Sequence, residues 1–235
     1  MFKIALSAGH GASTAGKRCL KSLDPNETRE WWLNDRICDY VESYLKDYDG
    51  YRLLRLDDSD DGEEDVPLRD RTSEANAWGA NFYLSIHHNA GMNGGGGGGI
   101  VAYTHPKSGQ EAVEWRNALY QALVNATGLK GNRATPKTTA NFQVLRETVA
   151  PAVLLELGFM DSRTDVPIIL SNEYAQKCAR AIVDVIVRRG GLTRKKTPTT
   201  ELYIVQAGVF SSVDGAKKLA TELEAKGFQA YIKRA

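Results

Sequence analysis

The chain has 235 residues, of which 42% are hydrophobic and 25% charged, which is an ordinary globular composition. A chain of this length can bury a sizeable core. Its formal net charge of +1 argues against a protein that binds nucleic acid through overall basicity, so no nucleic-acid partner is expected. No apolar run approaches the ~18 residues of a membrane span, and no secretory segment precedes the first predicted strand, so we expect cytoplasmic synthesis without a signal peptide and no membrane insertion.

The first half of the chain predicts strands that alternate with helices. Residues 30–46 form a predicted helix because Leu33, Ile37 and Val41 recur at the three- and four-residue steps of an amphipathic helix. A second helix, over 67–78, is predicted to turn four residues inward: Leu68, Thr72, Ala75 and Trp78. Strands are predicted at 3–7, 51–56 and 82–86, with a solvated acidic loop at 57–65.

The second half continues this alternation after six consecutive glycines at residues 94–99. Because glycine loses the most backbone freedom on ordering, we interpret this run as a mobile loop rather than regular structure. Strands follow at 100–103 and 153–156, and helices follow at 109–127 and 173–189. The whole pattern predicts an α/β fold, with a mainly parallel twisted sheet and helices on both of its faces.

The C-terminal segment is predicted to be a separate small unit. Residues 193–200 contain no apolar side chain and form a predicted linker between a main domain, 1–192, and an appendage, 201–235. The appendage is predicted as one βαβ unit, with strands at 202–206 and 229–233 around a helix at 213–226. Since about 35 residues bury too little surface to be comfortably stable alone, we expect this unit to pair with something.

Three of the apolar strand-like runs end on polar or acidic residues. The first leads to His10, the second leads to His87, His88 and Asn89, and the third leads to Glu156. In open α/β sheets, sites form at the carboxyl ends of the strands, so folding is expected to bring these groups to one crevice.

The histidines and cysteines limit which kind of metal site this crevice holds. His10 lies between two glycines, where it is either a ligand or an ordinary loop histidine, and the alternation of a strand lets only one of His87 and His88 face the crevice. The three cysteines are odd in number and have no CxxC spacing, which argues against a disulfide framework and against a thiolate zinc knuckle.

Two glutamates are expected to be buried. Glu30 lies three residues before Leu33 on the apolar stripe of its helix, so it either faces a cation or is a first-turn acid favoured by the helix dipole, and Glu27 is its competitor. Glu156 interrupts an apolar strand, where a carboxylate has a raised pKa unless a cation offsets it, which suits a general acid or base. Two histidines, one glutamate and a second, free glutamate are the parts of a hydrolytic zinc site.

Six segments carry motifs in a recognisable order: SAGHG at 7–11, EWWLN at 30–34, LRDR at 68–71 with AN at 75–76, SIHHN at 85–89, VLRET at 144–148 and PAVLLELGF at 151–159. Together they resemble the zinc-dependent N-acetylmuramoyl-L-alanine amidases of the Amidase_3 type. That group includes sporulation cell-wall lytic amidases and many phage endolysins. The resemblance covers about residues 1–190 and implies the same α/β fold.

The resemblance implies that His10, Glu30 and His87 bind Zn²⁺ and that Glu156 is catalytic. Asn89 and Arg146 are candidates for substrate contacts. The chain departs from the family in two places: Ser7-Ala8 replaces a common Asp-Pro, and Val101 stands where a Gly-x-Glu-x-Tyr strand commonly has glutamate.

In the appendage, LYIVQAGVF at 202–210 and GFQAY at 227–231 resemble one half of a SPOR domain, a βαββαβ module that binds peptidoglycan. Three arrangements are open. Two chains pair their halves into a homodimer through residues 201–235, or the chain is shortened here, or the unit only docks on the main domain.

The sequence therefore predicts a zinc amidase domain at 1–192 and a wall-binding half repeat at 201–235. The predicted enzyme cleaves the amide between N-acetylmuramic acid and L-alanine in peptidoglycan, its expected partner. The favoured role is that of a phage endolysin that acts on the wall after release, and a sporulation autolysin is the alternative. A zinc peptidase acting within the stem peptide and a non-catalytic peptidoglycan-binding protein are the rival functions.

Overall fold

A six-stranded sheet organises the larger of two units in this computed structural model, which describes residues 1–58, 60–195 and 206–233. The larger unit is Met1–Lys195 and the smaller is Lys196–Ala235. In chain order the described strands are β1 Phe2–Ala8, β2 Tyr48–Asp49, β3 Tyr51–Arg55, β4 Phe82–Asn89, β5 Ile100–Thr104, β6 Lys137–Thr139, β7 Ala152–Phe159 and β8 Thr193–Arg194. The helices are α1 Glu30–Leu45, α2 Leu68–Trp78, α3 Gln110–Thr127, α4 Gln143–Glu147, α5 Val166–Ile169, α6 Asn172–Gly190 and α7 Val213–Glu224.

The strand order is β3-β1-β4-β7-β5-β6, and every neighbouring pair is parallel except β5 with β7. Helices α1, α3 and α6 pack on one face of the sheet, and α2 and α4 pack on the other. The predicted α/β fold with a mainly parallel sheet and helices on both faces is therefore confirmed.

The first strand shows why its central residues are apolar at successive positions. Ile4 and Leu6 belong to the larger core, on the side of α1, whereas Ala5 lies in the smaller core on the opposite side, and all three are fully buried. A strand that is covered on both faces needs apolar residues at successive positions, without the alternation of a half-exposed strand.

Helix α2 differs from its prediction in which residues it buries. Thr72 and Ala75 are buried as expected, but Leu68 is 45% exposed and Arg71 is buried instead. Leu68 is the first residue of the helix, and the guanidinium of Arg71 is accommodated because backbone carbonyls surround it. Hydrophobic periodicity gives no indication that a buried position holds an arginine.

A small antiparallel ribbon corrects the start of the predicted linker. Thr193 and Arg194, which we assigned to the linker at 193–200, pair with Asp49 and Tyr48, respectively. The amide of Lys195 then donates to the carbonyl oxygen of Asp47. A two-residue ribbon of polar side chains leaves no periodic pattern, and residues 196–200 of the predicted linker lie outside the described part of the chain.

In the smaller unit, helix α7 lies within the predicted range. Its apolar face, formed by Ala216, Leu219, Ala220 and Leu223, is only half-buried. The strand predicted at 229–233 is not formed among the described residues, where that stretch belongs to no ladder and Tyr231 is 68% exposed. Most of the strand predicted at 202–206 lies outside the described residues.

The helices in 1–58, 60–195 and 206–233 include none with the length and apolar character needed to cross a membrane.

Candidate metal centre and active site

His10, Glu30 and His87 converge at one edge of the sheet, although they are far apart in sequence. One ligand atom from each residue lies within 4.8 Å of the others. His87 Nδ1 is 3.1 Å from Glu30 Oε1, and His10 Nε2 is 3.5 Å from the same oxygen. These separations resemble the ~3.4 Å between ligand atoms of a tetrahedral zinc ion with bonds of ~2.1 Å.

The loop after β1 presents His10 to this cluster. The amide of Gly9 donates to the carbonyl oxygen of Ile86 on β4, and Asn34 Nδ2 donates to the carbonyl oxygen of Gly9. His10 itself has φ 66°, in the left-handed region that non-glycine residues rarely adopt. A backbone held this way at a site residue suggests that the surrounding contacts determine it.

Gly9 leaves the space that the ring of His87 occupies. A Cβ atom added to Gly9 would lie 2.0 Å from His87 Cε1, which is far inside van der Waals contact. The ring of His87 has a second polar neighbour, because its Nε2 lies 3.1 Å from Ser85 Oγ. Ser85 can therefore orient the imidazole through the nitrogen that faces away from Glu30. The two imidazole rings of His10 and His87 stand edge to face, with centroids 5.0 Å apart.

Glu30 is placed at the first position of α1 and is almost fully buried, with 1% of its side chain exposed. Its Oε1 accepts hydrogen bonds from the His87 imidazole and from the His88 amide, at 3.1 and 3.2 Å. Its Oε2 is buried and has no hydrogen-bond partner among the described residues, where the nearest cation is Lys17 Nζ at 3.8 Å. A buried carboxylate oxygen without a partner is costly in a protein, so this donor set fits a cation.

Electrostatics give these residues the protonation states that metal ligands need. Burial lowers the pKa of His10 to about 4, although the Glu30 carboxylate opposes this shift. Burial disfavours the charged form of Glu30, but the hydrogen bond and charge of His87, with His10 and Lys17, hold its pKa at about 2. A neutral imidazole and an ionised carboxylate at neutral pH are ready to bind a metal without releasing protons.

Glu156 lies beside the cluster in β7. It pairs in register with His87 on one side and with Val101 on the other, so Glu156 and His87 point to the same face of the sheet. The residue is partly accessible, yet its Oε2 atom is buried and accepts no hydrogen bond within the described part of the chain. Burial, together with the nearby charge of Glu30, raises the pKa of Glu156 well above its usual range.

The other histidine and glutamate that competed for roles lie elsewhere. His88 is buried on the opposite face, where its Nδ1 lies 2.8 Å from Asn34 Oδ1, and burial lowers its pKa to about 3. Glu27 lies before α1 and pairs with Arg18 and Lys21 at 3.2 and 3.7 Å. Within the described residues, neither side chain belongs to the group of possible metal ligands.

The two candidate substrate contacts differ in their surroundings. Asn89 ends β4, and its side chain accepts from the amide of Ala90. Arg146 lies in the short helix α4, where it donates to Asn141 and pairs with Glu147. The described contacts join Arg146 to its own helix and the preceding loop rather than to the cluster.

Sequence reasoning missed two residues at the site. Lys17 lies in the loop between β1 and α1 and approaches Glu30, and nothing in its local sequence distinguishes it from other surface lysines. Tyr103 is the second-last residue of β5 and lies beside Asn89 and Glu156; burial and the Glu156 carboxylate raise the pKa of its hydroxyl. The sequence signal for Tyr103 was its place two residues after Val101, on the strand that pairs with β7.

The six-glycine run belongs to no helix or strand, as we predicted, and its mobility stays a prediction. The amides of Gly97, Gly98 and Gly99 donate to Thr164, Asn132 and Asp165, respectively. All three glycines have positive φ angles, between 84° and 110°. Glycine is needed here because the loop combines left-handed backbone with close packing, and side chains from other segments hold it in place.

The same loop is also fixed at its start. Asp161 Oδ2 accepts from the amides of Gly91, Met92 and Asn93 at 2.7 to 2.8 Å. The segment that follows His87 and His88 is therefore held by an aspartate that lies two residues after the end of β7.

Comparison with known protein families gives two matches along the chain. A family described as N-acetylmuramoyl-L-alanine amidase matches residues 4–188. The SPOR domain family matches residues 199–235.

Individual relatives and solved structures agree with these matches. A sporulation-specific N-acetylmuramoyl-L-alanine amidase of Bacillus subtilis is 35% identical over 233 residues, which is 99% of this chain and 84% of that protein. The N-acetylmuramoyl-L-alanine amidase CwlM of Bacillus licheniformis is 34% identical, over 99% of this chain and 85% of its own length. The catalytic domain of CwlV, an amidase from Bacillus (Paenibacillus) polymyxa, superposes with a TM-score of 0.70 at 26% identity and covers 80% of this chain and 98% of that structure.

Proposed function

The chain belongs to the N-acetylmuramoyl-L-alanine amidase family, and from this premise we propose that it is a zinc-dependent enzyme. Its proposed reaction is hydrolysis of the amide between the lactyl group of N-acetylmuramic acid and the L-alanine of the stem peptide. The observation that supports this proposal best is the cluster of two imidazoles and a buried carboxylate, with a second carboxylate beside it.

In this proposal the metal-binding residues are His10, Glu30 and His87. A zinc ion held there would supply Lewis-acid chemistry to the scissile carbonyl and to the attacking water. His87 would hold the metal through its imidazole, and Ser85 contacts the ring nitrogen that faces away from Glu30. Glu30 also contributes the negative charge that partly neutralises the cation.

Glu156 is the proposed proton acceptor and donor. As a carboxylate it takes a proton from the attacking water, and as a carboxylic acid it returns that proton to the nitrogen of the leaving L-alanine. Burial keeps the protonated form within energetic reach, because it raises the pKa of this carboxyl. An ordinary surface glutamate would be too weak a base for the first step at neutral pH.

The relatives favour a different biological role from the endolysin that the sequence suggested. Two relatives that match 99% of this chain are bacterial proteins, and one of them is named as sporulation-specific. We therefore propose that the chain is a wall-lytic amidase of a sporulating cell, the alternative that the sequence left open. The phage endolysin role stays a prediction without support from these relatives.

We also propose that residues 1–192 form the catalytic domain and that the segment from 201 to 235 binds peptidoglycan. The SPOR match supports the second assignment, and the half-buried apolar face of α7 is consistent with a unit that gains a partner.

Pairing of two such units into a homodimer is a further prediction, because one βαβ half leaves apolar side chains such as Phe228 and Tyr231 exposed. Light scattering is expected to give twice the chain mass for residues 1–235, and the monomer mass for a chain that ends at residue 192. A monomeric full-length protein at high micromolar concentration counts against pairing.

Removal of the metal tests the proposed function. Incubation with a strong chelator, followed by desalting, is expected to abolish the loss of turbidity of a cell-wall suspension, and added Zn²⁺ is expected to restore it. The control is circular dichroism of the chelated protein, which should retain its secondary structure. If the chelated, metal-free protein clears walls at an unchanged rate, the zinc-dependent function is wrong.

A further inference from the structure

Arg71 has no role in the reaction proposed above, but it lies next to the proposed metal centre, on which the following inference rests. We propose that Arg71 is a positioning residue, whose buried guanidinium fixes the backbone that carries His10. Its described hydrogen bonds reach the backbone of His10 but no metal-binding side chain of the cluster, and they do not reach Glu156.

The guanidinium of Arg71 is buried, with 1% exposed, and makes four hydrogen bonds. It donates to Val66 O at 2.8 Å, Ser7 Oγ at 2.7 Å, Ala8 O and His10 O at 3.0 Å, and its Nη2 lies 3.5 Å from Asp65 Oδ1 as an ion pair. Arginine is the side chain that can satisfy this set, because its donors form a planar fork.

Three of these acceptors belong to the segment between the end of β1 and the metal cluster. Arg71 bonds the hydroxyl of Ser7 and the carbonyl oxygens of Ala8 and His10, so it spans Gly9, on which the ring of His87 packs. The position of His10 and the space for His87 therefore depend on the same short stretch of backbone.

A second contact holds this stretch from the other side. The amide of Ala8 donates to Asp57 Oδ1 at 2.9 Å, and Asp57 is held in turn by Arg55 at 2.7 Å. Both polar groups of Ala8 are thus bonded to side chains from outside β1. This bracing accounts for how the chain maintains the left-handed backbone of His10 at φ 66°.

Stability alone does not account for an arginine at this position. Burying a guanidinium beside a single, partly exposed carboxylate costs desolvation free energy that an apolar side chain of similar length avoids. The arginine instead orients the backbone, because it bonds the two carbonyl groups on either side of Gly9. Groups that orient a metal ligand from outside the ligand set commonly change metal affinity by about 10–100-fold when they are removed.

The test is the affinity for Zn²⁺ of Arg71→Met and Arg71→Lys, measured in the full chain by competition with a chromogenic chelator. Arg36→Met is the matched control, since Arg36 likewise donates to two backbone carbonyls, those of Ile169 and Leu170, away from the cluster. The melting temperature of each metal-free protein, and the visible spectrum of each Co²⁺-substituted protein, are recorded beside the affinity.

We expect Arg71→Met to raise the Kd for Zn²⁺ by about 10–100-fold and to change the Co²⁺ spectrum, with Arg71→Lys intermediate and Arg36→Met unchanged. A Kd for Arg71→Met within about threefold of the original chain overturns the proposal, and so does an equal loss of affinity in Arg36→Met. If Arg71→Met does not fold, Arg71→Lys is judged by the same criteria. Failure of the original chain to bind Zn²⁺ overturns the proposed function itself, and this inference with it.

Discussion

Glu156→Gln is expected to lower kcat for wall hydrolysis by about 10²–10⁴-fold, because an amide of the same shape cannot accept a proton from water. Affinity for Zn²⁺ is expected to stay unchanged, since Glu156 is not among the three clustered ligands. The measurement is the initial rate of amino-group release from purified peptidoglycan, with zinc content determined on the same samples.

A surface glutamate provides the control for this substitution. Glu173 is 75% exposed and pairs only with Lys177, so Glu173→Gln should leave the rate unchanged. If Glu156→Gln retains full activity, the assignment of the proton acceptor is wrong. If both Glu156→Gln and the original chain release nothing while both bind walls, the non-catalytic rival is favoured.

The thermal stability of Glu156→Gln shows whether a loss of activity reflects lost chemistry or a failure to fold. The folded protein raises the pKa of Glu156 above the ordinary value, so the stability that this group contributes is present below the unfolded pKa, ~4.3, and is lost as pH rises through the folded pKa. Glu156→Gln removes that loss. The metal-free variant should therefore melt at the same or a higher temperature than the original chain at neutral pH.

The second large effect is expected at Glu30. Glu30→Gln removes the negative charge from a buried position that two imidazoles face, so we expect loss of tight zinc binding and of wall hydrolysis, by at least about 10²-fold in each. Zinc retention after dialysis and the rate of amino-group release measure the two losses.

Glu27 makes the comparison specific, because it lies three residues earlier and is the other acid that competed for this role. Glu27 is 29% exposed and pairs with Arg18, so Glu27→Gln should keep its zinc. Retention of zinc by Glu30→Gln together with its loss from Glu27→Gln would reverse the assignment of the third ligand.

The elements that sequence predicted well are those with a strong period. Helix α1 begins at Glu30, as its apolar stripe indicated, and this places that carboxylate beside His87. Strands β1, β4 and β7 are apolar because they are central and covered on both faces, and the polar residues at or near their ends come together because these strands are parallel neighbours.

What sequence did not predict depends on contacts between distant segments. Thr164 and Asp165 accept from amides of the glycine run, and Asp161 accepts from the segment before it, across some 65 to 70 residues of sequence. The burial of Arg71 depends on carbonyl groups of β1, which carry no side-chain signal. Local patterns record burial and period, but they do not record which backbone groups a distant side chain will bond.

The two departures from the family can now be located. Ser7 offers a hydroxyl to Arg71 at the position where the family commonly has aspartate, so among the described residues the carboxylate that pairs with Arg71 is Asp65, at 3.5 Å. Val101 is fully buried and pairs in register with Glu156, so the family's additional glutamate would have stood directly beside the proposed proton acceptor. In this chain Glu156 has no carboxylate neighbour on that strand.

The identity of the cleaved bond is the most direct test of the zinc amidase account. Purified peptidoglycan is digested with the zinc-loaded protein, with the chelated protein and with the chelated protein after Zn²⁺ is restored, and the soluble products are sequenced by mass spectrometry. The account predicts intact stem peptides that begin with L-alanine in the first and third digests and none in the second. New peptides with D-amino acids at their amino termini, or the same products with and without zinc, would contradict it.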